Sequence, residues 1–170
     1  MNLQILGETI SALMNKTTVN GKPPVVSKDT GVFLIGNGAS SAIASHGAAD
    51  LLKKGYNART LTDPAVLTCF ANDFGYELAL LEQLERLMKP NDLVIAISSS
   101  GMSKNILAAI GALNHPRQVM TLTAFKKTND IRAISSFDYR IHVPTHSYAL
   151  AETCHAAILH AWIDDLEGIR

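Results

Sequence analysis

Several features that assign a protein to a specialised class are missing from this sequence. It carries 15 basic and 15 acidic residues, so no basic excess indicates a surface for nucleic acid or anionic membranes. No apolar run approaches the ~20 residues that span a bilayer, and the start, MNLQILGETISALMNK, lacks the features of a signal peptide. We therefore expect a cytoplasmic protein without nucleic-acid or membrane partners.

Cysteine is also scarce. Cys69 and Cys154 are isolated from each other, which gives neither a disulfide framework nor a CxxC zinc knuckle. We expect both thiols to be reduced and to fill small spaces in the core.

Apolar runs of strand length alternate with helical patterns along the chain. GVFLIG (31–36), LVIAI (93–97) and RQVMTLTA (117–124) are typical of strands buried in a parallel sheet. Further strands are predicted near 58–61 and in FDYRIHV (137–143), whereas TTVNGKPPVVSKDTG (17–31) is typical of a loop. The alternation predicts one α/β domain, 1–170, with a mainly parallel sheet of about five strands.

The first residues predict an amphipathic helix at about 3–15. Its apolar side must pack against another surface, and a second subunit is a candidate for that surface.

Two of the predicted strands end in turns rich in small and hydroxyl residues. The first turn is GNGASS (36–41) and the second is SSSGMS (98–103), each directly before a predicted helix. A helix N-terminus presents free N–H groups and partial positive charge, which suit a phosphate. Neither turn has the lysine of a Walker A loop, and the first lacks the third glycine of a dinucleotide fingerprint. A small phosphorylated ligand is favoured, although serines also commonly cap helices.

Two predicted helices each combine a histidine with a carboxylate. His46 and Asp50 are four residues apart, and Glu152 and His160 share a face of the last helix near His155. Such a set can transfer protons or hold a divalent metal ion. Histidines in helices are often only structural, and we assign no role to His155 or to the remaining three, His115, His142 and His146.

Taken together, four segments resemble a known family. GNGASSAIASHGAADLL, DPAVLTCFANDFGYE, AISSSGMSKNI and VMTLTA occur in the order seen in sugar isomerase (SIS) domains, and are most similar to the phosphoheptose isomerases. The resemblance runs from about Val32 to the C-terminus. It implies a flavodoxin-like three-layer sandwich and a homotetramer with active sites at subunit interfaces. The implied reaction is aldose–ketose isomerisation of a seven-carbon sugar phosphate, which supplies heptose for bacterial lipopolysaccharide or capsule.

The resemblance also assigns residues to the phosphate and substrate sites. The family's phosphate-binding serines match serines in the two turns of this sequence. We add Gly38 and Ser99, which lie in the same turns, to the predicted binding residues. Its substrate contacts fall on an asparagine in the first turn and on the aspartate of NDFG, a segment that would otherwise be taken for a turn. The complete predicted set is Asn37, Gly38, Ser40, Asp73, Ser98, Ser99, Ser100 and Ser103.

The catalytic set departs from the family pattern at two positions. Asp50 stands where the family has a glutamate base, and Glu152 stands where it has a glutamine. By resemblance Asp50 is the base and His160 its acid partner, with Glu152 as the reserve base. Because some members bind zinc through these positions, we expect Zn²⁺ on His46, Asp50, Glu152 and His160. The alternatives are a non-catalytic phosphosugar-binding or regulatory protein, such as a replication-initiation factor, and an isomerase of a different sugar phosphate.

Overall fold

The computed structural model describes residues 2–112, 118–133 and 139–169. His115 and the first two residues of the FDYRIHV strand lie outside the described residues. The strands are β1 (Thr18–Gly21), β2 (Gly31–Gly36), β3 (Asn57–Thr60), β4 (Leu93–Ser98), β5 (Gln118–Ala124) and β6 (Tyr139–Val143). The helices are α1 (Leu3–Lys16), α2 (Ala39–Lys53), α3 (Pro64–Phe74), α4 (Ala79–Leu87), α5 (Lys104–Gly111), α6 (Asp130–Ala133) and α7 (Tyr148–Leu166).

The described strands form one six-stranded sheet in the order β1-β6-β5-β4-β2-β3. β2 to β6 run parallel, as predicted, and β1 pairs antiparallel with β6 at the edge. The α/β architecture and the five parallel strands are confirmed. The expected loop at 17–31 is wrong at its start, because Thr18–Gly21 finds a free sheet edge on which its backbone groups can pair.

Helices cover both faces of the sheet, which gives three layers. Successive strand residues point to opposite faces, so Val32 and Leu34 pack with α2 and α7, while Phe33 and Ile35 pack with α4 and α5. None of the described helices has both the length and the apolar character required to cross a membrane.

The segment that contains Asn72 and Asp73 is helical, so the expected turn is wrong. Asp63 caps α3 by accepting the backbone N–H of Val66, and Pro64 stands at the start of the helix, where its missing N–H is harmless. The expectation of a buried Cys69 is also wrong, because this residue lies on the exposed side of α3, whereas Cys154 is buried.

The order of the strands fixes where a ligand can bind. From β2 the chain proceeds outward to β3, and from β4 it proceeds in the other direction through β5 to β6. Ligands in open α/β sheets bind beyond the carboxyl ends of the strands where this direction reverses. Here that place is between β2 and β4, which end in the two serine-rich turns.

Candidate active site

A cavity of about 150 Å³ lies between the two serine-rich turns, and we call it the serine cavity. It collects most of the predicted phosphate-binding residues from β2, β4 and their following helices, together with the start of α7. Its lining residues are Asn37, Ser40, Ile97, Ser98, Ser99, Ser100, Ser103, Tyr148 and Glu152. None of these carries positive charge, so an anion here would be held by hydroxyl groups and helix N-termini.

Glycines shape both turns. Gly38 precedes α2 with φ 54°, and Gly101 lies between β4 and α5 with φ 64°, in the region that favours glycine. At Gly101 a Cβ atom would also collide with the side chain of Asn129. Larger residues would therefore displace the second turn from the cavity.

The serine hydroxyls differ in how they are bonded. Ser98 Oγ accepts the backbone N–H of Gly101 at 3.2 Å, and Ser100 Oγ accepts that of Met102 at 3.2 Å. Ser99 is buried, and its hydroxyl has no hydrogen-bond partner in the described part of the chain. An unpaired buried hydroxyl is unfavourable, and a ligand oxygen in the cavity would satisfy it.

Asn37 is held by a small amide network. Its side chain exchanges two hydrogen bonds of 2.9 Å with Asn105 of α5, and the Tyr76 hydroxyl donates to its Oδ1 at 3.0 Å. The network links the first turn to the second. Asn105, Tyr76 and the cavity-lining Tyr148 were not predicted from the sequence, although Asn105 lies in the first turn of α5, directly after the second serine-rich turn.

A second group of side chains lies farther along α2 and α7. His160 Nδ1 is 3.1 Å from Asp50 Oδ2, and His46 Nε2 is 3.7 Å from the same oxygen. One ligand atom from each residue lies within 4.8 Å of the others, and we call these three residues the His–Asp cluster. Two imidazoles and one carboxylate match the donors of zinc sites with an open position.

Glu152 and Asp73 lie apart from this cluster. Glu152 lines the serine cavity and is not among the clustered ligands; the eight residues to His160 correspond to about 12 Å along a helix. Asp73 is exposed on α3, where its carboxylate accepts a hydrogen bond from Asn72. The structure thus brings together three of the four predicted metal ligands, and it places Asp73 outside the cavity.

Two other histidines are buried between the sheet and its helices. His155 Nε2 lies 3.1 Å from the Thr123 carbonyl, and His142 Nδ1 lies 3.1 Å from the Thr123 hydroxyl. Burial lowers the pKa of each to about 4, so both are neutral at pH 7. His146 stacks on Phe125 at the surface. The positions of His142, His146 and His155 indicate structural roles for these three histidines.

Comparison with known proteins supplies the context for this geometry. No protein-family model matches the chain. A phosphoheptose isomerase of Syntrophotalea carbinolica is 36% identical over 144 residues, which span 80% of this chain and 72% of the relative. The structure of a phosphoheptose isomerase from Neisseria gonorrhoeae superposes with a TM-score of 0.76 at 28% identity, over 98% of this chain and 84% of the other. One from Francisella tularensis gives 0.74 at 26% identity, with the same coverage.

Proposed function

The chain belongs to the phosphoheptose isomerase family, and on that premise we propose that it interconverts sedoheptulose 7-phosphate and D-glycero-D-manno-heptose 7-phosphate. The observation that carries the proposal is the pairing of a phosphate-sized, serine-lined cavity without a positively charged side chain with a separate His–Asp cluster farther along α2 and α7. The first binds the end of the substrate that does not react, and the second carries out the proton transfers.

The separation of the two parts favours a long sugar phosphate. Ser40 and His46 are six residues apart on α2, or about 9 Å of helix rise. Glu152 and His160 are separated by about 12 Å on α7. A triose phosphate anchored among the serines is too short to reach the His–Asp cluster, whereas an extended seven-carbon chain reaches it.

The proton transfers are assigned to Asp50 and His160. Isomerisation through an enediol requires a base to take the proton from the carbon next to the carbonyl, and an acid to move protons between the two oxygens. Asp50 removes the carbon-bound proton, and His160, 3.1 Å away, exchanges protons with the sugar oxygens. Asp50 is one methylene shorter than the family glutamate, and a displacement near 1 Å lowers rates about 10²-fold unless the backbone compensates. Glu152, at the serine cavity, is the reserve base.

The His–Asp cluster also fits a divalent metal ion, which we propose to be Zn²⁺. His46, Asp50 and His160 would hold it. Glu152, the fourth ligand implied by the family pattern, lines the serine cavity instead. A bound zinc ion supplies Lewis-acid polarisation of oxygen atoms.

The proposal includes a homotetramer with active sites at its interfaces. α1 has no buried residue, and Leu3 and Ile5 are 71% and 60% exposed. That much apolar surface on one helix favours packing on another copy. The chain is taken as a single SIS domain, 1–170, that acts in the cytoplasm and supplies heptose for surface polysaccharides. Sedimentation of the purified protein tests the assembly: four copies are expected, and a monomer would contradict it.

The activity is tested directly by following proton exchange. The protein is incubated with sedoheptulose 7-phosphate in D₂O, and C1 and C2 are followed by NMR. Appearance of the aldose with deuterium at C2, lost in His160→Ala and kept in His146→Ala, is expected. Binding without turnover would show a protein that has kept the phosphate site and lost the reaction, and turnover of another sugar phosphate would correct the substrate.

A further inference from the structure

A second polar pocket lies at the edge of the sheet, away from the serine cavity. It has a volume of about 150 Å³, and its described lining residues are Asn20 of β1, Arg132 of α6 and Arg140 of β6. Asn20 and Arg140 are register partners in the antiparallel pair, so their side chains lie on the same face of the sheet. We call this the arginine pocket.

Two guanidinium groups share the arginine pocket without a counter-charge from the described residues that line it. Arg132 donates one hydrogen bond of 3.2 Å to the neutral hydroxyl of Thr18. Arg140 Nε is buried and has no hydrogen-bond partner among the residues that the structure describes. Burial and the neighbouring Arg140 lower the pKa of Arg132, which is the opposite of what a nearby carboxylate would do.

Residues around the arginine pocket add further positive charge and a further unpaired polar group. Thr121 is the register partner of Arg140 on β5, and no described residue forms a hydrogen bond with its buried hydroxyl. His142, two residues farther along β6, has a lowered pKa, first because of its burial and then because of Arg132, His155 and Lys127 nearby. Positive charge and unpaired polar groups are therefore concentrated on this part of the sheet. Neutral water in the pocket would leave the charges uncompensated.

We propose that Asn20, Arg132 and Arg140 form a binding site for a small oxyanion of the phosphate class. The planar guanidinium group donates two parallel N–H bonds to such oxygens, and the Asn20 amide supplies a further donor. Two arginines match the double negative charge of a phosphate or phosphate monoester.

This site is distinct from the serine cavity. The two share no lining residue. Thr121 pairs with Ala96 of β4 on one side and with Arg140 on the other. Arg140 is therefore two strands from β4, or roughly 10 Å.

Calorimetric titration with inorganic phosphate tests the proposal. Wild-type protein is expected to bind phosphate at two classes of site, in the serine cavity and in the arginine pocket. Arg140→Gln is expected to remove one class, and Arg132→Lys to weaken it about ten-fold, because lysine keeps the charge but loses the paired donors. Ser98→Ala should weaken only the other class. Arg86→Gln is the matched control, since Arg86 is exposed and paired with Glu82.

Several results would overturn the proposal. One is unchanged phosphate stoichiometry and affinity in both arginine variants. Another is a change of oligomeric mass in Arg140→Gln while phosphate has no effect on the wild type, which would identify a carboxylate of a second copy as the occupant. If Arg140→Gln fails to fold, NMR of wild-type protein labelled with ¹⁵N-arginine tests the site through the Arg140 Nε–H resonance. It must shift on addition of phosphate, and an unmoved signal refutes the site.

Discussion

The serine cavity and the His–Asp cluster share the helices α2 and α7, but their side chains are held in different ways. Ser98 and Ser99 are only 4% and 5% exposed, and backbone N–H groups and turns fix their positions. The side chains of His46 and His160 are 66% and 38% exposed and stand on helix surfaces. The serine cavity is thus enclosed largely by groups of one chain, whereas the His–Asp cluster is open at the surface of that chain. Binding and chemistry should therefore respond separately to mutation.

The largest effect is expected from removal of the proposed base. Asp50→Asn keeps the size of the side chain but cannot accept the carbon-bound proton, and kcat should fall about 10³-fold. KM should change little, because Asp50 does not line the serine cavity. Steady-state kinetics with the heptose phosphate measures both, and Ser98→Ala, which should mainly raise KM, is the counterpart on the binding side.

Glu152→Gln sharpens the same comparison, since it restores the family residue. If Asp50 is the base, this variant should keep a kcat within a few-fold of the wild type. If Glu152→Gln loses activity while Asp50→Asn keeps it, the base is Glu152 rather than Asp50.

The next effect contrasts His155, a buried histidine of α7, with His146, an exposed histidine just before that helix. His155 is fully buried, and its pKa of about 4 lies below the ordinary value of 6.5. Between these values the unfolded chain binds a proton that the folded chain does not, so stability falls as the pH drops from about 6.5 toward 4. This histidine contributes a loss of up to about 3 kcal/mol over that range. Urea unfolding at several pH values measures it.

His155→Gln should flatten this decline. The glutamine amide can still donate to the Thr123 carbonyl, but it does not titrate. His146→Gln, at an exposed position, should leave the decline unchanged, and an equal slope in wild type and His155→Gln would contradict the assignment.

The sequence predicted the fold and the serine cavity because both depend on local patterns. Apolar runs identify buried strands, and parallel strands place their carboxyl ends together, so 36–41 and 98–103 had to meet. The position of Asp73 was not accessible in this way. Its helix depends on the cap by Asp63, and the pattern of NDFG alone resembles a turn.

The separation of Glu152 from the His–Asp cluster could not be predicted from the sequence either. Helical spacing showed that Glu152 and His160 share a face, but not that neighbouring elements divide this face between two sites. Likewise β1 was missed, because a short polar segment becomes a strand only when a free sheet edge such as β6 is present. These features depend on tertiary packing, which overrides local preference.

Metal binding tests the His–Asp cluster, which is the more exposed of the two sites. His46→Ala removes one of three ligands and should weaken Zn²⁺ binding at least about 100-fold, which competition with a chromophoric chelator measures. The control His146→Ala should bind as the wild type does. Equal affinity in His46→Ala would show that the His–Asp cluster is not the metal site.

The smallest effects separate two adjacent serines within the cavity. Ser98→Ala removes one of the two acceptors of the Gly101 N–H, whose bond to the Ser98 carbonyl remains, and should destabilise the protein by at most about 1 kcal/mol. Ser99→Ala removes a hydroxyl that has no partner, so the stability of the free protein should be unchanged or slightly raised. If that hydroxyl is reserved for the ligand, Ser99→Ala should instead weaken phosphate binding about five-fold. Urea unfolding with and without phosphate separates the two, and a Ser99→Ala variant that is destabilised without phosphate would mean that its hydroxyl supports the fold rather than the ligand.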